Sequence, residues 1–476
     1  EEKNGEELEV CVFFQAEAGI RDYDVTGVQT CALPISGEPF FLNLALLDMH
    51  GNDGVEFEGT VHIQNRPPSW NVPDEVHLTL EDGGHKRIEI LAESSGVVRL
   101  AVEVQVGETL LRSEAGPTWI DAHAERVFWG DLHGHSNFSD GTGEPNDWFD
   151  YARHTAALDF VCLTDHDHFG VRFIDQSPDL WEQLCAVARD HHVAGQFVTL
   201  SGYEWTSWIH GHRHVVFFDD SAEMFSSVDE RYQTPRQLWL ALEGRNVLTF
   251  AHHSAGDPIP TNWTFRPDPI LEPVTEVMSV HGSSEAADSP RLVRNPRPGN
   301  YVRDVLDRGV TLGFIGSGDS HDGHPGLSHL SPVYGWRPGR TAKDVERMGT
   351  GGLAAVMGEK LTRGGLLAAL RARNCYATSG PRMILQATLE GHPMGSSVPA
   401  QDVGPGASID VLILGTVGLT RLDLVRSGAV SSMSLQGKRR FMGSLPLEDL
   451  QPGEYVYLRV LQEDGSLAWT SPFFVE

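Results

Sequence analysis

The chain has 476 residues, more than the roughly 250–300 at which a single core stops growing, so about two or three domains are expected. Its 40% hydrophobic and 21% charged residues exclude wholesale disorder. The excess of 66 Asp plus Glu over 36 Lys plus Arg gives a formal charge of -30, which opposes a polyanionic partner, so nucleic acid is not expected. Five Cys without a CxxC pair argue against both a disulfide framework and a thiolate zinc finger. No apolar run is long enough to span a bilayer, and no membrane partner is expected.

In chain order, Gln15 to Ser36 (QAEAGIRDYDVTGVQTCALPIS) reads like the conceptual translation of a sequencing adapter. Residues 1–36 are therefore expected to be disordered, with Cys11 and Cys31 carrying no function and the native start lost; a cytoplasmic location is the expectation. Across 37–125, runs such as FFLNLALL, GTVHIQN and VVRLAVEVQV alternate with Gly, Pro, Asn and Asp, which predicts a small β-sandwich. Across 126–383, short apolar runs alternate with helical stretches such as Trp181–Arg189, Pro235–Leu242 and GGLLAALRARN, the pattern of βα units around a parallel sheet or barrel. From 384 to 476 strand patterns return (SIDVLIL, TRLDLV, EYVYLRVLQ) with PGE and EDG turns, predicting a C-terminal β domain.

The central region repeatedly ends an apolar run in His, Asp or Glu. VFWGDLHGH leads to His133 and His135, FVCLTDH to Asp165 and His166, and FVTLSGYE to Glu204. NVLTFAH reaches His252, VTEVMSVH reaches His281, and TLGFIGSGDSH reaches Asp319 and His321. In a (β/α) barrel the C-terminal strand ends converge on one face, where active sites are built. HxH places both imidazoles on one face of an extended segment, and the Asp319–His321 pair repeats that spacing. A lone His at a strand end is more often an ordinary hydrogen-bonded residue than a ligand. So many converging ionisable groups, however, would pay heavily for desolvation without a counter-charge, which a metal supplies. Imidazole and carboxylate suit zinc, manganese or iron, and their number exceeds the needs of one tetrahedral ion.

DLHGHSNFSDG, LTDHD, GYEW, AHH and GSGDSH, in this order, resemble the motifs of the polymerase and histidinol phosphatase (PHP) superfamily. WGDLHGHS, NCYATSG and LAWTSP resemble its carbaryl-hydrolase-like (CehA/McbA) branch. The resemblance covers Val127 to the C-terminus. It implies a distorted (β/α)7 barrel holding two or three divalent metal ions, which together with the β-sandwich-like domains read on either side gives an α/β fold. It implies that His133, His135, Glu204 and Asp319 hold one ion, that Glu204 bridges to a second held by His252 and His281, and that Asp140, His166 and His321 hold the third. His253 is an alternative to His252, and Glu285 to His281; Asp140 stands where some members use histidine.

Asp131, Asp165 and Asp167 flank these ligands and are candidates to orient imidazole rings, with a loop acid or helix cap as the plain alternative. Arg213, between His212 and His214 in GHRH, and His324 in HDGHPG are candidates to contact an anionic substrate and to serve with Glu204 in catalysis. Trp205, Trp208 and Trp263 are candidates to wall a pocket. Cys162 and Cys185 read as buried and inert, and Cys375 has no evident catalytic partner. The expected function is hydrolysis of a small-molecule phosphoester, carboxylic ester or carbamate by a metal-activated water. The alternative is a degenerate binding or regulatory module, which lost ligands would favour; every expected position is filled. Oligomeric state stays open.

Overall fold

The computed structural model describes residues 26–30, 39–48, 51–121, 125–328, 351–448 and 450–476. Cys11 and Cys31 lie outside the described residues, as does most of the stretch expected to be disordered. Thr26–Thr30, within that stretch, instead forms a strand antiparallel to Pro39–Leu46. Main-chain pairing to an exposed sheet edge asks little of the side chains, so even this sequence can add a strand there.

Pro39–Leu46 continues the sheet to His85–Leu91, and a second antiparallel sheet runs in the order Glu75–Leu78, Gly59–Gln64, Ala101–Val106, Thr109–Glu114. The alternation in Ala101–Val106 buries Val102 and Val104 and leaves Gln105 outside. These residues share an apolar core with Leu42, Leu44, Ile63 and Ile90, and Phe40 meets Trp70 edge to face at 5.6 Å.

In the central region Arg126–Asp131, Phe160–Leu163 and Val198–Trp205 lie side by side in parallel. The chain then turns back: Arg213–Phe217 pairs antiparallel with Val198–Trp205, and Val247–Ala251 pairs antiparallel with Arg213–Phe217. On the other flank Leu353–Gly358 runs antiparallel to Arg126–Asp131. Val274–Ser279 and Gly313–Gly316 form a separate parallel pair with a bulge between Glu276 and Met278, and lie between Val247–Ala251 on one side and the Leu353–Gly358 and Cys375–Thr378 strands on the other. The sequence-predicted helices are present as Pro178–Asp190, Pro235–Leu242 and Arg363–Arg371. Pro235–Leu242 starts where Thr234 and Gln237 satisfy each other's backbone N–H groups and Pro235 occupies the first turn, where no donor is needed.

The hydrogen-bonded sheet continues across the 383/384 boundary drawn from the sequence. Cys375–Thr378 pairs with Leu467–Thr470, which pairs with Tyr455–Gln462, which pairs with Ser408–Arg426. One apolar cluster accordingly holds Trp129 and Tyr376 together with Val411, Leu458 and Phe473. Among the described residues no helix is long and apolar enough to cross a membrane.

Candidate metal centre

Strand geometry brings the polar strand ends together. His135 N–H donates to Ser320 O (2.8 Å), Asp319 N–H to His133 O (2.9 Å) and Glu204 N–H to Asp165 O (3.0 Å), so segments far apart in sequence are joined through their backbones. Glu204 lies opposite His214 in the antiparallel register, and both face the same side of the sheet. Tyr203, Trp205, Val215 and Phe217 point to the other side, into an apolar cluster. Asp319 adopts a left-handed backbone (φ 55°), as does His253 (φ 33°); such strain in non-glycine residues persists only where surrounding structure imposes it.

Buried donor atoms gather in groups whose members lie within 4.8 Å of one another: His135, Asp140, His166 and His321; His133, His135 and Asp319; and His133, Glu204, His214 and His252. Glu204 is the hub. Its Oε1 lies 3.2 Å from His166 Nδ1, 2.7 Å from His212 Nδ1 and 3.4 Å from His252 Nε2, while Oε2 lies 3.4 Å from His135 Nε2 and 3.5 Å from His133 Nε2. Asp319 Oδ1 lies 3.1 Å from His133 Nε2 and 3.5 Å from His135 Nε2. Asp140 Oδ1 lies 3.4 Å from His166 Nε2 and 3.3 Å from His321 Nε2.

Burial pushes the Glu204 carboxyl up, but the imidazoles of His166, His252 and His212 outweigh it and hold the group well below the usual range. Burial lowers His252 to about 3 and His214 well below the ordinary value, so both are neutral. His321 is raised to about 9: burial opposes protonation, but Asp140 and Asp319 favour it more strongly. Buried carboxylates here require positive charge, which protons or a divalent cation can supply. Both ring nitrogens of His214 and of His252, and Glu204 Oε2, are buried without a hydrogen-bond partner. Such atoms are costly to leave unmatched, and each neutral ring has one lone pair that a metal could take. The buried His, Glu and Asp groups could therefore hold metal ions.

Most residues expected from the sequence converge here: His133, His135, Asp140, His166, Glu204, His252, Asp319 and His321 all lie in these groups. His281 sits at the rim, its Nε2 3.0 Å from Asp319 Oδ2 and its ring 6.5 Å from that of His252. Glu285 turns away to Arg459, at 2.9 Å, and Tyr457. Arg213 is not open to substrate: it is fully buried, its Nε donates to Glu272 (3.0 Å), and it faces Trp239, because period two puts it on the opposite side from His212 and His214. His324 is likewise engaged elsewhere, with Nε2 3.1 Å from Asn52 Oδ1 and its ring against Tyr151, where the N-terminal layer docks.

The three flanking aspartates organise backbone rather than imidazoles. Asp131 accepts from the N–H groups of Gly318, Gly326 (both 2.8 Å) and His133, and a Cβ on Gly318 would lie 2.4 Å from its carboxylate. Asp165 accepts from Ser136 and Ser139, holding the SNFSDG loop, and Asp167 from Thr206 and Ser227. Burial lifts Asp131 and Asp167 to about 6 in spite of these bonds. The rings are oriented by other groups: Glu276 Oε2 accepts from His133 Nδ1 (2.9 Å), Asp319 O from His321 Nδ1 (3.0 Å), and His166 Nδ1 lies 2.7 Å from Thr206 Oγ1.

Of the tryptophans, Trp205 and Trp263 are buried with their indole N–H groups bonded to Tyr232 O and Asn300 O, whereas Trp208 is exposed. Its ring lies 5.4 Å from Phe169 and 5.3 Å from His212, at the edge of the centre. Cys162, Cys185 and Cys375 are buried, and burial pushes the latter two thiols up to about 11 and about 12, which removes them as nucleophiles.

Sequence reasoning passed over Glu276, His212 and His214. GHRH carries the same HxH spacing as the His133–His135 pair of LHGH, and a Glu inside the apolar run VTEVMS is a buried charge in need of a partner. Glu276→Gln is expected to weaken metal binding about 10–100-fold, the usual cost of losing a carboxylate that orients a ligand imidazole. Competitive titration against a chelator measures it; unchanged affinity would remove Glu276 from the centre.

A family model described as a protein of unknown function (DUF3604) matches residues 164–307 and 290–389. The chain is 26% identical over 378 residues to an uncharacterized protein of Chlamydia pneumoniae, covering 74% of this chain and 58% of that protein. It is 23% identical over 408 residues to one of Chlamydia trachomatis serovar D, covering 80% and 62% respectively. The chain thus spans about three fifths of the length of the curated relatives it matches. Among solved structures, it is similar to a two-domain protein of Bacteroides vulgatus containing a predicted PHP-like metal-dependent phosphoesterase, at 15% identity and a TM-score of 0.38, over 73% of this chain and 95% of the other.

Proposed function

We propose that this chain is a metal-dependent hydrolase acting on phosphoester, carboxylic ester or carbamate bonds of a small molecule. The observation that carries the reading is the convergence of Glu204, Asp319 and Asp140 with buried imidazoles whose nitrogens lack partners. The motif resemblance to the PHP superfamily and its carbaryl-hydrolase-like branch supports it. So does the circuit of strands around the centre, which we take as a distorted (β/α)7 barrel. His133, His135, Asp140, His166, Glu204, His252, Asp319 and His321 are assigned to metal ions, with His281 completing the set from the rim.

Divalent ions bound there would make water acidic enough to ionise near neutral pH and place positive charge over the bond under attack. The chain's own residues supply the rest. Glu204 and Asp319 hold the imidazoles in register, and Glu276 fixes His133 with its Nε2 turned to Asp319. Phe169 and Trp208 shield one side of the mouth, and Phe169 packs 5.0 Å from the His166 ring. No serine or cysteine nucleophile is required.

Protein purified without added metal is expected to hold about two to three equivalents of Zn, Mn or Fe by elemental analysis, since the donors outnumber those of one tetrahedral ion. Hydrolysis of an aryl phosphate or an aryl ester should disappear on chelation and return on reloading. Protein that holds no metal and takes none up would refute the hydrolase and favour a binding module.

A further inference from the structure

We propose a metal position that the motif-derived ligand set does not contain: the imidazoles of His212, His252 and His253 form a nitrogen-only pocket for one borderline transition-metal ion, Zn2+ in preference to Mg2+ or Ca2+. It rests on the metal-centre reading above and changes its composition. His212 and His253 come from GHRH and the second position of AHH, and they replace His281 as the companions of His252.

The geometry points there from several directions. Ligand atoms of the three residues lie within 4.8 Å of one another. The ring centroids are 4.0 Å apart for His252 and His253, 5.1 Å for His212 and His253, and 5.6 Å for His212 and His252. All three side chains are at most 3% exposed. His212 Nε2 and both nitrogens of His252 and of His253 have no hydrogen-bond partner, although each neutral imidazole carries a donor and an acceptor.

Glu204 sets the tautomer of His212. With Nδ1 2.7 Å from Glu204 Oε1, the proton belongs on Nδ1 and the lone pair on the unpartnered Nε2, the carboxylate–imidazole arrangement that commonly stands behind a metal ligand. His253 is held at φ 33°, in a conformation that side-chain-bearing residues avoid, and that backbone places its ring against His212 and His252. Gly211 supplies the turn into His212: its φ is +79°, and a Cβ there would lie 2.6 Å from Thr261 Cα. The segment therefore packs closely enough to deliver His212 only with glycine at that position.

The donor set decides the ion. No carboxylate belongs to this group, and hard cations such as Mg2+ and Ca2+ take oxygen ligands, whereas imidazole suits Zn2+, Ni2+ and Cu2+. The neighbouring groups contain Asp140, Asp319 and Glu204, and carboxylate oxygens suit Mn2+ where imidazole alone does not. The centre is thereby heterogeneous, with one imidazole-only position linked to the carboxylate-bearing ones by the contact between His212 Nδ1 and Glu204 Oε1.

The test is metal content rather than turnover. Stripped wild-type protein is loaded with Zn2+, dialysed against excess Mn2+ and analysed for both elements. One Zn2+ per chain is expected to remain while Mn2+ fills the other positions; complete replacement, or no site-selective retention, overturns the proposal. In parallel, His212→Gln and His253→Gln should each weaken that retained Zn2+ by at least about tenfold in chelator competition. His281→Gln should leave it in place. Retention that is unchanged in both folded variants, or lost only in His281→Gln, also overturns it. Wild-type protein that binds no metal at all would instead defeat the hydrolase reading, which separates the two failures.

Discussion

Glu204→Gln is expected to reduce hydrolysis on the order of 10^3-fold, the scale on which removal of a preorganised electrostatic group from an active centre is felt. It should also release metal from more than one position. The reason is the position of the carboxylate: its two oxygens face His166, His212 and His252 on one side and His133 and His135 on the other. Gln keeps the volume, but it removes the charge and leaves one carbonyl oxygen where two carboxylate oxygens faced the five imidazoles. Elemental analysis of the folded variant and its aryl phosphate and aryl ester rates measure both effects. A variant with full metal content and near wild-type rates would show that Glu204 does not join the ions.

The residues legible in the sequence were those obeying a simple local rule. HxH at His133–His135 follows the period-two rule at the end of an apolar strand, and Asp319 and His321 also follow an apolar strand, although the left-handed backbone of Asp319 takes that pair out of extended geometry. What escaped depended on topology. An unbroken βα alternation was expected, so the return of Arg213–Phe217 antiparallel to Val198–Trp205 was not foreseen, nor the Glu204–His214 pairing it creates. The same period-two rule, applied to that strand, places His212 and His214 toward the centre and Arg213 away from it. His324 could not be judged locally, since its partner Asn52 lies 272 residues away, in the N-terminal layer. Asp131, Asp165 and Asp167 are buried as the metal reading requires, yet they serve the loops that carry the ligands. Proximity in sequence to a ligand does not decide which atom a carboxylate accepts from.

Arg459→Ala is expected to destabilise the protein by about 3–5 kcal/mol, because it would leave buried Glu285 without its cation and buried Asp423 with Arg421 alone. Arg459 is 2% exposed; its Nε donates to Asp423 (2.9 Å), Nη1 to Glu285 (2.9 Å) and Nη2 to Asp288 (3.2 Å). Arg421 also pairs with Asp423, and Arg303 with Asp288, so the network joins the C-terminal strands to the segment after His281. That segment borders the metal centre: Ser284 Oγ accepts from Ala255 N–H, three residues after His252, and Arg303 N–H donates to Glu285 O. Losing Arg459 should therefore lower the denaturation midpoint and also loosen the rim that carries His281. Pairing Arg459→Met with Glu285→Gln should recover part of the loss, since one uncompensated charge is then gone and the remaining cost is that of Asp423. A single variant within about 1 kcal/mol of wild type, the usual worth of an exposed pair, would mean that water reaches the network and that the C-terminal sheet does not brace the centre through it.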